Sequence, residues 1–263
     1  MPTVTIDGKK VDVQTEVTIL DAAQKAGIWI PTLCFHPSIS HPATCRLCMV
    51  ELDRGDWKQL VTACNYPVHR DIVVSVSSEN AVKARRGVME LLLARAPESE
   101  QLKELARRMG IEGSPYPKIT ESLRNCVLCG LCTIVCEEVI GRSAIGFSGR
   151  GVDRIVATPF RQPAEDCIGC GACAYVCPVG TIQLRVHEDT GEIEVSPFKS
   201  RAKLLVCEEC GRRLVSEPVN RYIMEKVKEK VKIDLAEFGK YAKLCPECRR
   251  GKSANVLSLG TPM

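Results

Sequence analysis

The run Cys126-x2-Cys129-x2-Cys132-x3-Cys136 recurs with identical spacing at Cys167-x2-Cys170-x2-Cys173-x3-Cys177. Thiols this close together can serve disulfides, apolar packing or metal, and each use leaves a different pattern. Buried apolar cysteines scatter through a sequence and do not cluster in fours. Disulfides are rare in a reducing cytosol, the compartment expected for a chain whose Met1-Pro2-Thr3-Val4 start enters a strand pattern directly, without a signal peptide. Metal remains, and C-x2-C-x2-C-x3-C is the run that folds around a cubane [4Fe-4S] cluster. Zinc also uses C-x2-C pairs, but two successive four-cysteine runs of one spacing argue against it. Gly130, Gly169 and Gly171 are expected to let the backbone approach such a cluster closely.

The remaining cysteines fall into two further fours, so that all sixteen are accounted for. Cys34, Cys45, Cys48 and Cys64 have the spacing C-x10-C-x2-C-x15-C, and Cys207, Cys210, Cys245 and Cys248 form two C-x2-C knuckles separated by 34 residues. In two-cluster ferredoxins the fourth cysteine of each run ligates the other cluster. That rule assigns Cys126, Cys129, Cys132 and Cys177 to one cubane, and Cys167, Cys170, Cys173 and Cys136 to its partner. Pro178 follows Cys177 as the motif expects, whereas Glu137 stands where a proline is expected after Cys136.

The segment around the first quartet reads as a small mixed domain. Thr3 to Ile6 and Lys10 to Gln14 alternate about an Asp7-Gly8 hairpin turn. A helix follows, capped by Thr18 with Asp21 reaching back, buried through Ile19, Leu20 and Ala23, and stopped by Gly27. Strand patterns return at Leu47 to Leu52 and Ile72 to Val76. Hairpin, helix, long cysteine loop and strands are the order of a β-grasp ferredoxin with a [2Fe-2S] cluster under the loop. The plant-type loop has four residues between its first two cysteines, whereas this one has ten.

With these residues in place, the chain resembles the iron-sulfur electron-transfer subunits of NAD(P)-linked multisubunit hydrogenases of the diaphorase or bifurcating type. It is similar as well to the N-terminal part of the complex I N-module iron-sulfur subunit and of [FeFe]-hydrogenases. The resemblance is carried by Pro31-Thr32-Leu33-Cys34 through Cys45-Arg46-Leu47-Cys48, by Arg85-Arg86-Gly87-Val88-Met89-Glu90-Leu91-Leu92-Leu93-Ala94, and by Ala144-Ile145-Gly146-Phe147 with Arg150-Gly151; it covers roughly residues 1 to 195. Such subunits usually follow the Glu-Leu-Leu-Leu-Ala helix with one histidine and three cysteines that hold an additional cubane. Here Ala96-Pro97-Glu98-Ser99-Glu100-Gln101-Leu102 contains neither residue type, so that cluster is not expected, although Gln101 to Met109 still reads as the following helix, closed by Gly110. His36, His41, His69 and His187 match no ligand position and are expected in surface or loop roles.

The expected fold is α+β. Residues 1–78 form a β-grasp [2Fe-2S] ferredoxin domain and 79–117 a short helical linker. A 2[4Fe-4S] bacterial-ferredoxin-like domain occupies 118–200, and a four-cysteine zinc-ribbon-like segment 201–263. At the last quartet zinc is favoured over a third [4Fe-4S] cluster, and Tyr222 to Val231 reads as a helix with a solvated charged face. Gly146-Phe147-Ser148-Gly149-Arg150-Gly151 lacks both the P-loop lysine and the G-x-G-x-x-G order, so it reads as a tight connection and not as a phosphate cradle.

The resemblance implies a cytoplasmic, non-catalytic relay without a transmembrane segment or a flavin or dinucleotide site of its own. Its partners would be a flavoprotein NAD(P)-binding subunit and a hydrogenase or other catalytic subunit, with either redox direction or electron bifurcation compatible. An NAD-linked formate dehydrogenase subunit is the alternative of the same kind. A self-contained [FeFe]-hydrogenase fails because the 86 residues after Cys177 hold no further cluster motif for a catalytic iron site. The succinate or fumarate dehydrogenase type fails on its short first loop. A zinc-ribbon nucleic-acid binder is suggested by Arg212, Arg213, Arg249, Arg250 and Lys252, but it leaves twelve cysteines unused, so no nucleic acid is expected. Charge gives that alternative little support: the formal +4 counts thiols as neutral, and four four-thiolate sites at about −2 each bring the loaded chain to about −4.

Overall fold

The computed structural model describes residues 1–40, 42–119, 125–230, 239 and 241–251. The chain divides into two compact units, Met1–Ala157 with Cys173–Thr181, and Thr158–Ala172 with Ile182–Met263.

In the first unit, β1 (Thr3–Ile6) and β2 (Lys9–Asp12) pair antiparallel. Asp7 and Gly8 both take positive φ, at 45° and 83°, the left-handed pair that a two-residue hairpin turn requires. Helix α1 (Ile19–Lys25) opens on a capping box, with the Asp21 N–H donating to Thr18 Oγ1 at 3.2 Å and the Thr18 N–H to Asp21 Oδ2 at 2.9 Å. Strands β3 (Met49–Asp53), β4 (Lys58–Thr62) and β5 (Ile72–Ser75) complete a five-stranded sheet of order β2-β1-β5-β3-β4, in which only β1 and β5 run parallel. β4 was not anticipated, because its alternation is faint and it lies at the sheet edge. Val4 and Ile6 point inward from β1 at period two and meet Ile19, Leu20, Val50, Leu52, Val68 and Val74 in one core.

Thr18→Ala should remove the Asp21 N–H bond to Thr18 Oγ1 and the Oγ1 bond to Asp21 Oδ2 while leaving the bond from the Thr18 N–H, and destabilise this unit by about 1 kcal/mol. Chemical denaturation checks this, with Thr18→Ser expected to keep most of the wild-type stability; an alanine variant as stable as wild type would contradict the capping account.

Helix α2 (Glu79–Arg95) starts at Ser78, whose Oγ accepts from the Ala81 N–H at 3.2 Å, and packs on β3. Helix α3 (Glu100–Arg108) is capped by Ser99 and ends before Gly110, one residue offset from the expected span. Ser99 lies within the segment that lacks histidine and cysteine, so the helix begins on an ordinary cap. Beyond it come α4 (Leu131–Ile134), a π-helical turn at Val135–Val139, and a hairpin of β6 (Gly146–Ser148) with β7 (Ile155–Ala157). The glycine-rich stretch read as a connection therefore supplies a strand as well as part of a turn.

A short helix α5 (Ala172–Tyr175) follows the Cys170 turn. The second unit is built on β8 (Gln183–His187), β9 (Glu192–Ser196), β10 (Ser200–Val206) and β11 (Arg213–Ser216), an antiparallel meander of order β11-β10-β9-β8. Helix α6 (Glu217–Lys230) packs on β10 and β11; Val231, the last residue of the expected helix, lies outside the described residues. Glu194 is buried on β9 and accepts from Arg201 Nε at 2.8 Å, with His187 Nε2 at 3.1 Å. The Arg201 bond holds the Glu194 carboxyl below the usual carboxylate range. His187 thus sits on a strand beside a buried carboxylate, whereas His36 Nδ1 accepts from the Ser38 N–H in a loop; His41 lies outside the described residues. Among the described residues no helix is long and apolar enough to cross a membrane.

Candidate metal centres

Cys34, Cys45, Cys48 and Cys64 are all buried, and none of the sixteen cysteines is joined in a disulfide. Cys34 sits on the loop after α1, Cys45 and Cys48 on the loop entering β3, and Cys64 just past β4. Hydrogen bonds from the Cys45 and Cys64 thiols push Cys34 down to about 2. A bond from Cys64 brings Cys48 down to about 7 despite its burial. The donors move the opposite way: bonding to Cys34 raises Cys45, and bonding to Cys34 and Cys48 raises Cys64. The sulfurs therefore form a chain in the order 45, 34, 64, 48. The N–H groups of Thr44 and Cys45 also reach Cys34, and that of Leu47 reaches Cys45. Buried sulfurs facing backbone donors fit an anionic cluster, because the same N–H groups stabilise thiolates once metal displaces the protons.

The second run places Cys126 and Cys129 before α4, Cys132 within it and Cys136 in the π-helical turn that follows. Cys129 and Cys132 are buried and Cys126 is half-buried, with the Leu128 N–H donating to Cys126 Sγ at 3.4 Å. Burial pushes Cys129 up to about 12 and raises Cys126 and Cys132 as well. Cys177 contributes to the rise at all three positions, and Cys173 to that at Cys132. Unpaired thiols in such surroundings resist ionisation, and a cluster's iron supplies the missing positive charge.

Two side chains absent from the sequence reading organise this region. Arg95, at the end of α2, donates from Nε to the Cys126 carbonyl at 2.9 Å and from Nη2 to the Arg154 carbonyl at 2.7 Å. Thr44, beside Cys45, donates from Oγ1 to the Cys129 carbonyl at 3.2 Å, which joins the loop of the first quartet to that of the second. Cys34 also acts electrostatically on Cys129, so the two thiol groups are neighbours within one unit. Arginine at a helix end and threonine beside a cysteine are too common to be picked out by spacing alone.

Of the third run, Cys167 and Cys170 belong to the second unit and Cys173 to the first, as does Cys136. Cys170 is exposed, and the other three are half-buried. The glycines of this run lie against the second sheet: a Cβ on Gly169 would meet Ala202 Cβ at 3.0 Å and Ile193 Cγ2 at 3.1 Å, and one on Gly171 would meet Leu184 Cδ1 at 2.6 Å. Both also take positive φ, at +66° and +76°. A Cβ at Gly130 would make only ordinary contacts, and its φ of +85° is the constraint.

The fourth quartet is the most compact. The sulfurs of Cys207, Cys210, Cys245 and Cys248 all lie within 4.8 Å of one another, and Cys210 Sγ is 3.7 Å from Cys245 Sγ. The N–H of Cys245 donates to Cys207 Sγ at 3.3 Å and that of Cys248 to Cys245 Sγ at 3.4 Å. These bonds bring Cys207 down to about 6 and lower Cys245, while donation to Cys245 and Cys210 pushes Cys248 up to about 12. Arg212 pairs with Glu247 at 2.9 Å and Arg213 with Glu188 at 2.5 Å.

Residues 1–79 match the family of 2Fe-2S iron-sulfur cluster binding domains, and residues 125–181 the 4Fe-4S dicluster domain. The chain is an iron-sulfur protein that joins these two domains. Its homologues are subunits of NAD(P)-linked oxidoreductases. It is 34% identical over 204 residues to the NADPH-Fe(3+) oxidoreductase subunit alpha of Geobacter sulfurreducens, a match covering 69% of this chain and 24% of that one. With the NADP-reducing hydrogenase subunit HndD of Solidesulfovibrio fructosivorans it shares 35% over 211 residues, 69% of this chain and 36% of the relative. The mitochondrial NADH-ubiquinone oxidoreductase 78 kDa subunit of Candida albicans is 30% identical, with 68% and 28% covered. Among solved structures, a chain of the NAD+-reducing [NiFe]-hydrogenase in the H2-reduced state superposes with a TM-score of 0.53 at 28% identity, over 60% of this chain and 74% of the other. The chain spans only about a quarter to a third of the length of these curated relatives.

Proposed function

We propose that this chain is the iron-sulfur relay of a multisubunit NAD(P)-linked oxidoreductase, of the hydrogenase or complex I kind, passing electrons between a flavoprotein NAD(P)-binding subunit and a hydrogenase or similar catalytic unit. The observation that carries the reading is the pairing of two cluster-sized thiol groups in one unit, joined through Thr44 and the Cys129 carbonyl. The five-stranded sheet over α1 supports a β-grasp fold for the first domain. On this reading Cys34, Cys45, Cys48 and Cys64 hold a [2Fe-2S] cluster, Cys126, Cys129, Cys132 and Cys177 one [4Fe-4S] cluster, and Cys167, Cys170, Cys173 and Cys136 another. Cys207, Cys210, Cys245 and Cys248 hold a further metal. Sixteen cysteines without a disulfide suit a reducing cytoplasm.

Bound clusters would each accept or release one electron with little ligand movement. The chain's own part is to bury the sulfurs, to aim N–H groups at them and so set their potentials, and to fix their spacing. Arg95 and Thr44 do the last of these by tying the Cys126–Cys129 loop to α2 and to the Cys45 loop.

Anaerobically purified protein should be brown, bleach with dithionite and contain about ten iron per chain outside the fourth quartet. Without its flavoprotein partner it should neither oxidise NAD(P)H nor split hydrogen. A colourless protein with zinc alone, or nicotinamide turnover by flavin-free chain, would overturn the proposal.

A further inference from the structure

We infer that Cys207, Cys210, Cys245 and Cys248 bind one tetrahedral zinc ion, separate from the electron path, which clamps the 241–251 segment to the end of the second sheet. This deepens the assignment of a metal to the fourth quartet and does not depend on the relay.

Sulfur separation decides how many metal atoms fit. Four thiolates at about 2.3 Å from a single ion stand about 3.8 Å apart along each tetrahedral edge. In a cubane each thiolate binds a different iron and points outward from its corner, which sets the sulfurs about 6 Å apart. The four sulfurs here all lie within 4.8 Å of one another, and the Cys210–Cys245 pair is at 3.7 Å. That arrangement suits one ion and is too small for a cubane. Between zinc and a single ferrous iron, the order of divalent-metal affinity at a given site favours zinc. Four thiolates leave no open position, so such a site is structural.

The surroundings show what the ion holds. The first knuckle is the β10–β11 turn, closed by the Cys207 N–H to the Arg212 carbonyl at 2.8 Å and the Gly211 N–H to the Cys207 carbonyl at 3.0 Å. The second is tied to it by three independent contacts: the Glu208 N–H to the Lys243 carbonyl at 3.3 Å, the Lys243–Glu208 ion pair at 3.0 Å and the Arg212–Glu247 ion pair at 2.9 Å. Among the described residues, Leu244 and the two cysteines Cys207 and Cys245 are the buried members of this cluster, with Leu214, Tyr241 and Cys248 packed around them. So small an apolar cluster cannot order the segment unaided, and metal binding supplies the missing free energy. Arg212, paired with Glu247 beside the knuckles, also lies within electrostatic range of Cys245 and Cys210.

Metal analysis of the full-length, anaerobically purified chain should give one zinc beside about ten iron. Zinc-edge X-ray absorption should show four sulfurs at about 2.3 Å. Cys210→Ser and Cys248→Ser, at the less buried ligands, should lose zinc while keeping the iron and the EPR signals of the clusters. Tryptic cleavage at Arg249 and Arg250 should then rise at least tenfold. About fourteen iron without zinc would mean a third cubane, and about eleven iron without zinc a lone iron; either overturns the assignment. A mixed sulfur and nitrogen shell overturns it too, and unchanged proteolysis in the zinc-free variants overturns the clamp. Low iron with one zinc present would sink the relay reading and leave this one standing.

Discussion

Replacing Cys177 with alanine should cost the protein the cubane whose other ligands lie some fifty residues earlier, at Cys126, Cys129 and Cys132, and not the one nearest to it in sequence. Iron should fall from about ten to about six per chain. The [2Fe-2S] signal should persist in reduced-state EPR while one cubane signal disappears. The structural argument is that the charge of Cys177 reaches each of those three thiols. The 177–181 turn is also fastened beside them: Thr181 Oγ1 donates to the Asn125 carbonyl, immediately before Cys126, and a Cβ at Gly180 would meet Gln101 Nε2 at 2.7 Å. Cys136→Ala should remove the other cubane signal instead. Loss of the same signal in both variants, or an intact first cubane in Cys177→Ala, would defeat the crossed assignment.

Arg85→Leu should lower the stability of the first unit by about 2–6 kcal/mol, the cost of leaving two buried carbonyls without their donor. Arg85 projects from α2 into the interior, where Nη1 donates to the Met49 carbonyl at 2.8 Å and Nη2 to the Val76 carbonyl at 2.6 Å. One guanidinium thus ties the residue after Cys48 to the end of β5. Burial lowers its pKa, which is the mark of a desolvated charge held by its hydrogen bonds. Leucine replaces the stem but leaves two buried carbonyls without donors, at roughly 1–3 kcal/mol each. Lysine should recover only part of the loss, because a single ammonium cannot reproduce the fork. The midpoint of thermal unfolding should fall by roughly 8–15 °C in Arg85→Leu. A shift under about 2 °C would show that Arg85 is not the tie described here.

Thr18, Asp21, Asp7 and Gly8 show which parts of the fold were legible in advance. Each acts through neighbours within three residues, so its role depends on spacing alone, and capping box and turn form where the residues stand. β4 and the parallel partnership of β1 with β5 were not legible. The Lys58–Thr62 strand has half its residues exposed or nearly so, and β1 meets β5 only after about 65 residues of intervening chain. Arg85 belongs to the same class. It stands in a charged stretch of α2 with Arg86 beside it, and only the packing of that helix on β3 turns one of the two inward.

The sequence alone determined that cysteine chemistry organises this protein, that its sixteen thiols divide into fours, and that two of those fours have cubane spacing, because the reach of a short loop is fixed by covalent geometry. It also determined that neither histidine nor cysteine stands between Ala96 and Leu102. Tertiary structure alone decided how far apart the sulfurs of one quartet stand. The spacing of Cys207, Cys210, Cys245 and Cys248 allowed either one ion or four, since the chain between the knuckles is long enough for both. Their separation was set by the β10–β11 turn, the ion pairs across the knuckles and the buried Leu244, contacts that exist only once the chain has folded.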